Sequence, residues 1–360
     1  MSLQKGQEDE MKRRNLMWVA VLTALAMLVA ACGGDGSSDT TADAGSDTTA
    51  APDTTAAPDT TAAPDTTADA PDDQVVIGFS QANNGDVWRI NQTNNVEDTC
   101  SELIPGAEVI VTDGQGEGSK QSADVDDLIA RGVDVLLLTP LTADELTPAA
   151  ERALAAGIPV ITLDRSVNVE VTQHIGADNK LIGEKAAEFV SQTLLGGEGG
   201  TVIEIQGVLG ASATTDRHDA FVAWLEANDP NVEIIESQTG EYRREPAFEF
   251  MNDMLQRYGP GEFDVVYTHN DEMALGAVQS MNEAGRLGEA AIVGIDGQNE
   301  AIQAIADGQI AATFTYDNAG KEACESAAKL IAGESIEPEW VLETNQIDET
   351  NAEEWIGQGF

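Results

Sequence analysis

The chain has 360 residues, of which 64 are acidic and only 18 are lysine or arginine, so that its formal net charge is −46. A charge of this size and sign repels phosphate groups, which argues against nucleic acid or an anionic membrane surface as a partner. The length is sufficient for two packed lobes in addition to a targeting segment.

The first element in chain order is a basic and then apolar segment. Met11-Lys-Arg-Arg14 precedes an apolar run from Leu16 to Ala31, which is short for a membrane span and ends at Cys32. This pattern is typical of a cleavable export signal, so we expect everything after Cys32 to work outside the cytoplasm. Val29-Ala-Ala-Cys32 resembles the lipobox of bacterial lipoproteins, which implies a signal peptide over residues 1–32 and a diacylglycerol on Cys32. An ordinary secretory signal and an uncleaved anchor helix remain as alternatives.

Residues 33–73 form a low-complexity segment. The unit Asp-Thr-Thr-Ala-Ala-Pro starts at Asp47, Asp53 and Asp59, and recurs with one inserted residue from Asp65. The segment has no aromatic residue, Leu, Ile, Lys or Arg, so it cannot bury enough apolar surface to offset the entropy of the chain. We therefore expect a disordered tether, whose reach lies between roughly 35 Å as a coil and roughly 130 Å when fully extended.

From Val75 onward, short β-branched runs alternate with longer segments of helical periodicity, which is typical of parallel α/β layers. Continuous apolar runs such as Val135-Leu-Leu-Leu138 indicate sheets that are covered by helices on both faces. The expected strands are 75–79, 108–112, 134–139, 158–163, 200–205, 232–237, 264–267, 291–295 and 311–314.

An internal similarity divides this part of the chain into two doubly wound lobes. A strand, a helix that stops at Ala-Gly, and a strand that ends in aspartate occur once before Asp164 and again before Asp296. The chain is expected to cross between the lobes near 176–179 and 315–318, so that one lobe comprises 74–176 plus 317–360 and the other 177–316. Because ligands bind beyond the carboxyl ends of parallel strands, Asp164 and Asp296 would face one cleft.

Planar polar side chains concentrate at these strand ends and at the start of the first helix. Carboxylate, carboxamide and guanidinium groups can each span two neighbouring hydroxyls, and an indole face can support the C–H side of a sugar, so the set favours a sugar site. Separately, Trp88 also fits a core position, Asp164-Arg165 a structural ion pair, Arg217 a helix surface and Asn270 a helix cap. The set comprises Gln81, Trp88, Arg89, Asp113, Gln115, Asp164, Arg165, Arg217, Asn270 and Asp296.

These residues carry a resemblance to a known family. Residues 74 to about 345 resemble the type I periplasmic sugar-binding proteins of ABC importers, in particular their galactofuranose-binding branch, and several motifs are shared with the ribose-binding branch. The motifs are Gly78-Phe-Ser-Gln81 with Trp88-Arg89, Asp113-Gly-Gln115, Leu163-Asp-Arg-Ser166, Gln206-Gly-Val-Leu-Gly-Ala-Ser212, Asp216-Arg217, His269-Asn-Asp-Glu-Met273 and Gly294-Ile-Asp-Gly297.

The resemblance implies a type I periplasmic binding protein fold, with two lobes on a multi-crossing hinge, and no cofactor. A monomer would capture a monosaccharide, best named as a galactofuranose-like furanose or a hexose or pentose, and deliver it to an ABC permease. Presentation of the sugar to a chemoreceptor or a histidine kinase is the alternative. The candidate ligand contacts are Gln81, Asp86, Trp88, Arg89, Asp113, Asp164, Arg165, Arg217, Asn270, Asp296 and Tyr316.

Two departures from the galactofuranose-binding branch bear on the ligand. Asn83-Asn-Gly-Asp86 replaces a turn with Ser or Glu, so the exocyclic end of the sugar is expected to differ. The last crossing, Phe314-Thr-Tyr316, lacks the Gln or Glu often found there, which leaves Tyr316 as the contact.

Other chemistry is disfavoured. A glycosidase needs one carboxyl group as an acid, whereas Arg165 would keep Asp164 ionised. The three histidines have no metal-ligand spacing, and the Gly-rich segment 114–120 does not fit a phosphate loop. We expect neither an enzyme nor a metal protein. Cys100 and Cys324 fall in expected helices, and the sequence leaves their pairing open.

Overall fold

The computed structural model describes residues 74–360. The proposed lipidation site at Cys32 and the expected tether over 33–73 lie outside the described residues. Among residues 74–360, no helix combines the length and the apolar character that a membrane span requires.

Twelve strands and ten α-helices alternate along the described part of the chain. The strands are β1 (Val76–Gln81), β2 (Glu108–Asp113), β3 (Val135–Leu138), β4 (Val160–Leu163), β5 (Gln173–Ala177), β6 (Gly200–Gln206), β7 (Val232–Thr239), β8 (Val265–Thr268), β9 (Ala291–Val293), β10 (Ala312–Phe314), β11 (Glu339–Leu342) and β12 (Gln346–Asp348). The helices are α1 (Val87–Leu103), α2 (Gly118–Arg131), α3 (Ala143–Ala155), α4 (Asn179–Glu188), α5 (Ser212–Asn228), α6 (Arg244–Arg257), α7 (Asp271–Glu283), α8 (Asn299–Ala306), α9 (Gly320–Ile331) and α10 (Ala352–Trp355). A π-helical turn, Phe189–Leu194, continues α4.

The strands form two six-stranded sheets, one in each lobe. The first sheet is parallel throughout, in the order β11-β5-β4-β3-β1-β2. The second has the order β12-β10-β9-β8-β6-β7 and is parallel except for β12. The expected doubly wound α/β architecture is confirmed, and the bounds of all nine expected strands agree within two residues.

Helices cover both faces of each sheet, as the apolar strands predict. In the first lobe, α1 and α9 pack together over one face, and α2 and α3 over the other. In the second lobe, α4 and α5 cover one face, and α6, α7 and α8 the other. All four residues of β3 are therefore buried.

The chain crosses between the lobes three times rather than twice. The crossings after β5 and after β10 lie where they were expected, but a third connects β11 to β12. Because β12 pairs antiparallel with β10 and α10 packs against α8, residues 346–360 belong to the second lobe, and the boundary expected for 317–360 is wrong there. The strands β5, β11 and β12 each begin with a polar residue and contain at most three consecutive apolar residues, so no long apolar run marked them.

Cys100 of α1 and Cys324 of α9 form a disulfide, which resolves the pairing that the sequence left open. Both residues are fully buried, and their Cα atoms lie 4.9 Å apart. The bridge therefore joins two helices that pack on the same face of the first sheet.

Candidate functional site

A cavity lies between the lobes, at the carboxyl ends of the strands of both sheets. The space between its atoms, including the part that is open to solvent, is about 330 Å³. Nine of the eleven candidate contacts line it, together with two residues that the sequence did not single out. The lining residues are Asp86, Trp88, Arg89, Asp164, Arg165, Ala213, Arg217, Tyr242, Asn270, Asp296 and Tyr316.

Asp86 positions the first turn of α1. Its side chain caps the helix by accepting a hydrogen bond from the Arg89 N–H at 2.8 Å. Trp88 Nε1 donates to the Tyr316 carbonyl at 3.1 Å, and the guanidinium of Arg89 lies 4.6 Å from the centre of the Trp88 ring. This turn brings a flat apolar face and a cation to the cavity together.

Asp164 contacts three neighbouring side chains at the edge of the cavity. It follows β4 with φ 64°, a left-handed conformation that Asp tolerates better than most residues. Arg89 Nη2 lies 2.6 Å and Arg165 Nε 3.6 Å from Asp164 Oδ2, while the Tyr316 hydroxyl donates to Oδ1 at 2.6 Å. Burial alone would raise the pKa of Asp164, but the charges of Arg89 and Arg165 outweigh it and lower that pKa. The carboxylate therefore stays ionised.

Arg217 supplies the main cation of the second lobe. It lies in α5, is 2 % exposed and stacks its guanidinium 4.4 Å from the centre of the Tyr316 ring. Its Nε donates to Asn179 Oδ1 at 2.8 Å, and its Nη1 donates to the His269 carbonyl. These bonds fix the position of the Arg217 side chain, which lines the cavity.

Asn270 and Asp296 complete the second lobe's contribution. Asn270 does cap α7, accepting from the Met273 N–H at 3.0 Å, and it also lines the cavity. Asp296 follows β9 at φ 136° and is buried. Burial and the nearby charge of Asp271 raise the pKa of Asp296 well above its usual value, which favours the neutral acid. This shift is opposite in direction to that of Asp164.

The structure contradicts the expectation that Gln81 and Asp113 line the site. The side chain of Gln81 turns back into the first lobe, where Nε2 donates to Gln92 Oε1 at 2.8 Å. Gln92 Oε1 also accepts from Arg89 Nη1 at 3.2 Å, so Gln81 supports Arg89 indirectly. Asp113 instead accepts a hydrogen bond from the Gln115 N–H at 2.8 Å within its own turn. A strand-end position alone did not reveal these local bonds.

Sequence reasoning missed Tyr242 and Ala213. Tyr242 follows β7 with φ 62°, its hydroxyl lies 2.7 Å from Thr214 Oγ1, and its ring centre lies 5.2 Å from the Arg165 guanidinium across the cleft. Tyr242 lies just after an expected strand, as several of the other candidates do, and this position could have identified it from the sequence. Ala213 carries no polar group to mark it.

The lobes are closed over the cavity. The Ala143 N–H donates to the Gly210 carbonyl at 3.2 Å, and the Ser166 N–H donates to Ser212 Oγ at 3.0 Å. Both bonds join the first lobe to the loop and helix after β6. Aromatic faces and paired polar groups that surround a small enclosed space are suited to a polyhydroxy ring.

A hydrogen-bond network centred on the buried Glu204 lies behind Arg217. Glu204 accepts hydrogen bonds from His218 at 2.9 Å, His269 at 3.0 Å and Ser237 at 2.6 Å. Burial would raise the pKa of Glu204, but the bonds from His218 and His269 outweigh it and lower that pKa strongly. Since the His269 carbonyl accepts from Arg217, this network supports the second lobe's cation. Within residues 74–360, no cluster of His, Cys, Asp and Glu has the arrangement of a metal site.

The sequence of this chain is similar to those of known proteins. A family model described as a periplasmic binding protein domain matches residues 77–335. The ribose import binding protein of Bacillus subtilis is 33 % identical over 267 residues, which cover 73 % of this chain and 84 % of that protein.

Two solved structures extend this likeness to the fold. A galactofuranose-binding protein has a TM-score of 0.74 and 28 % identity, covering 79 % of this chain and 98 % of that one. The fructose-binding periplasmic domain of a hybrid two-component system also has a TM-score of 0.74, with 31 % identity and coverages of 79 % and 94 %.

Proposed function

The chain belongs to the periplasmic binding protein family, as a type I sugar-binding protein and not an enzyme, and we propose that it captures a monosaccharide for an ABC permease. The observation that carries this proposal is the closed cavity, lined from both lobes by three arginines, three aspartates and three aromatic side chains. We propose that the nine candidate residues in this lining bind the sugar, together with Tyr242.

Closure of the two lobes around the sugar is expected because the candidate contacts come from both lobes. Arg89, Asp164 and Arg165 come from the first lobe, and Arg217 and Asn270 from the second, so only the closed form allows all of them to contact one sugar. A ligand shifts a conformational equilibrium by its differential affinity for the two states. The sugar would therefore stabilise the closed form, which the permease would recognise.

A furanose is the ligand class that we propose, with galactofuranose as the best single name. The related structures include a galactofuranose-binding protein, and the related sequences a ribose import binding protein. Ionised Asp164 would accept hydrogen bonds from hydroxyl groups of the sugar, while the arginines would donate to them.

Calorimetric titration with pentoses and hexoses in both ring forms tests this assignment. The protein is first unfolded and refolded to remove any sugar carried through purification. We expect one site per chain for at least one sugar, consistent with a monomer. A folded protein that binds none of the panel would contradict the assignment.

A sensory role is the second candidate, because one of the related structures is the periplasmic domain of a two-component system. In that case the closed form would be presented to a histidine kinase or a chemoreceptor. Uptake of labelled sugar by cells with and without the gene separates the roles, since only an importer component is needed for uptake.

We further propose that residues 1–32 are a lipoprotein signal peptide and that residues 33–73 tether the lobes to the membrane. Cys32→Ala should abolish lipid attachment, because it removes the acceptor of the lipid. Sugar affinity should stay within about twofold, since the cavity lies within residues 74–360. Labelling of cells with a radioactive fatty acid checks this, and an unchanged protein that takes up no label would argue against the lipoprotein signal.

A further inference from the structure

A second, larger space adjoins the cavity on the open side of the cleft, and we call it the outer groove. It lies between the loops after β1, β2 and β3 of the first lobe and the loops after β6 and β7 of the second. The space between its atoms is about 1210 Å³, compared with about 330 Å³ for the cavity.

The outer groove and the cavity share part of their walls. Asp86, Arg165 and Tyr242 line both spaces. Arg165 is 2 % exposed, its Nη1 donates to the Leu141 carbonyl at 2.9 Å, and its Nε lies 3.6 Å from Asp164 Oδ2. A charged side chain thus stands at the junction, where a ligand that extends from one space to the other would pass.

The lining of the outer groove combines apolar surface with free amides. Leu141, Val208 and Leu209 provide the apolar part, and Leu209 is 60 % exposed. The Gln115 side chain makes no hydrogen bond to the rest of the described chain, and Asn83 uses only Oδ1, to accept from the Gly85 N–H. Apolar surface beside amide groups fits the C–H face and the hydroxyls of a sugar ring.

The charges in the outer groove do not favour an anion. Arg243 Nη2 lies 2.6 Å from Glu241 Oε2, so that this pair is neutralised internally. Asp86 and Arg165 then bring one charge of each sign to the junction. The outer groove thus has no excess positive charge that would select an anionic sugar, and a neutral sugar residue would not be repelled.

From this geometry we propose that the natural ligand is a saccharide of at least two residues, with its terminal ring in the cavity and the next ring in the outer groove. This proposal rests on the proposed sugar-binding function and deepens it, because the monosaccharide unit of that function becomes the terminal ring of a longer ligand. The loop that contributes Asn83, Gly85 and Asp86 is also the turn in which the sequence departs from the galactofuranose-binding branch. Under this proposal, the exocyclic end of the ligand that we expect to differ would lie beside this loop.

The direct test compares monosaccharides with disaccharides by calorimetric titration of the whole protein. The probes are the sugars of the panel above and neutral disaccharides in which each of them is the terminal, glycosidically linked residue. We expect at least one disaccharide to bind about tenfold more tightly than its terminal sugar. If every disaccharide binds at least tenfold more weakly than the free sugar, the proposal is overturned.

A double variant, Gln115→Ala with Leu209→Ala, tests whether the outer groove carries the difference. Loss of one hydrogen bond and part of an apolar contact should weaken disaccharide binding about tenfold. Monosaccharide binding should stay within twofold, because neither residue lines the cavity. The matched control is Gln256→Ala with Leu103→Ala, which changes an exposed glutamine and an exposed leucine that line neither space.

The outcomes separate this proposal from the proposed function. Binding of monosaccharides alone overturns the outer-groove proposal and leaves the function standing, as does equal loss of both ligands in the double variant. Binding of disaccharides alone supports the outer groove and corrects the ligand class. A folded protein that binds neither class overturns both proposals.

Discussion

Asp164→Asn should lower the affinity for the sugar by about a hundredfold to ten-thousandfold. A carboxylate can accept hydrogen bonds from two neighbouring hydroxyls, and each bond to a charged group contributes about 1.5–3 kcal/mol. Asparagine keeps one acceptor oxygen, so one such bond is lost and the other becomes a weaker neutral bond, and the loss of the opposing charge described below adds to this. Since 1.4 kcal/mol corresponds to a factor of ten, these losses together account for the expected range. Calorimetric titration of the variant and the unchanged protein with the same sugar measures it.

The effect should act on closure as well as on direct contact. Arg89 and Arg165 both lie near Asp164, and all three side chains are buried. Asparagine would leave these guanidinium groups without their main opposing charge, which is costly only when the lobes are closed. We therefore expect the melting temperature to differ between variant and unchanged protein mainly in the presence of sugar.

Asp126→Asn is the matched control. Asp126 also pairs with an arginine of the first lobe, Arg152, but both side chains are about half exposed and far less desolvated. Exposed ion pairs contribute little, so this variant should bind the sugar within about twofold of the unchanged protein. Near-equal affinities of the Asp164 and Asp126 variants would remove Asp164 from the proposed site.

How far the sequence predicts this molecule depends on the range of the interactions involved. Asp164 and Asp296 could be placed in one cleft because the duplicated strand and helix pattern determines where parallel strands end. Gln81 and Asp113 satisfy the same rule but fail as cavity residues, since their side chains find nearby partners in Gln92 and the Gln115 N–H. Such bonds depend on side-chain geometry, which strand periodicity does not contain.

The other features that the sequence did not predict depend on contacts between residues that are far apart in the sequence. Strand β12 has three residues, and only its pairing with β10 makes it a strand of the second sheet. Tyr242 reaches the cavity because a left-handed turn directs it across the cleft toward Arg165. Likewise, two helical cysteines 224 residues apart become partners only when α1 and α9 pack together.

Reduction of the disulfide between Cys100 and Cys324 is the second change for which we expect a large effect. Reduction should lower the free energy of unfolding by about 3–5 kcal/mol, because the bridge closes a loop of more than two hundred residues and restricts the unfolded chain. For a protein of this size the melting temperature should fall by roughly 6–20 °C. Urea unfolding of the oxidised protein, compared with protein unfolded and refolded under a reducing agent, measures the difference.

This comparison isolates the cross-link, since both samples have the same side chains in the same helix interface. Sugar affinity should be unchanged within about twofold, because neither cysteine lines the cavity and both lie within the first lobe. Equal unfolding midpoints would mean that the packing of α1 against α9 alone holds this face of the lobe. A loss of affinity with an unchanged midpoint would instead mean that the bridge positions Trp88 and Arg89 through α1, which also carries Cys100.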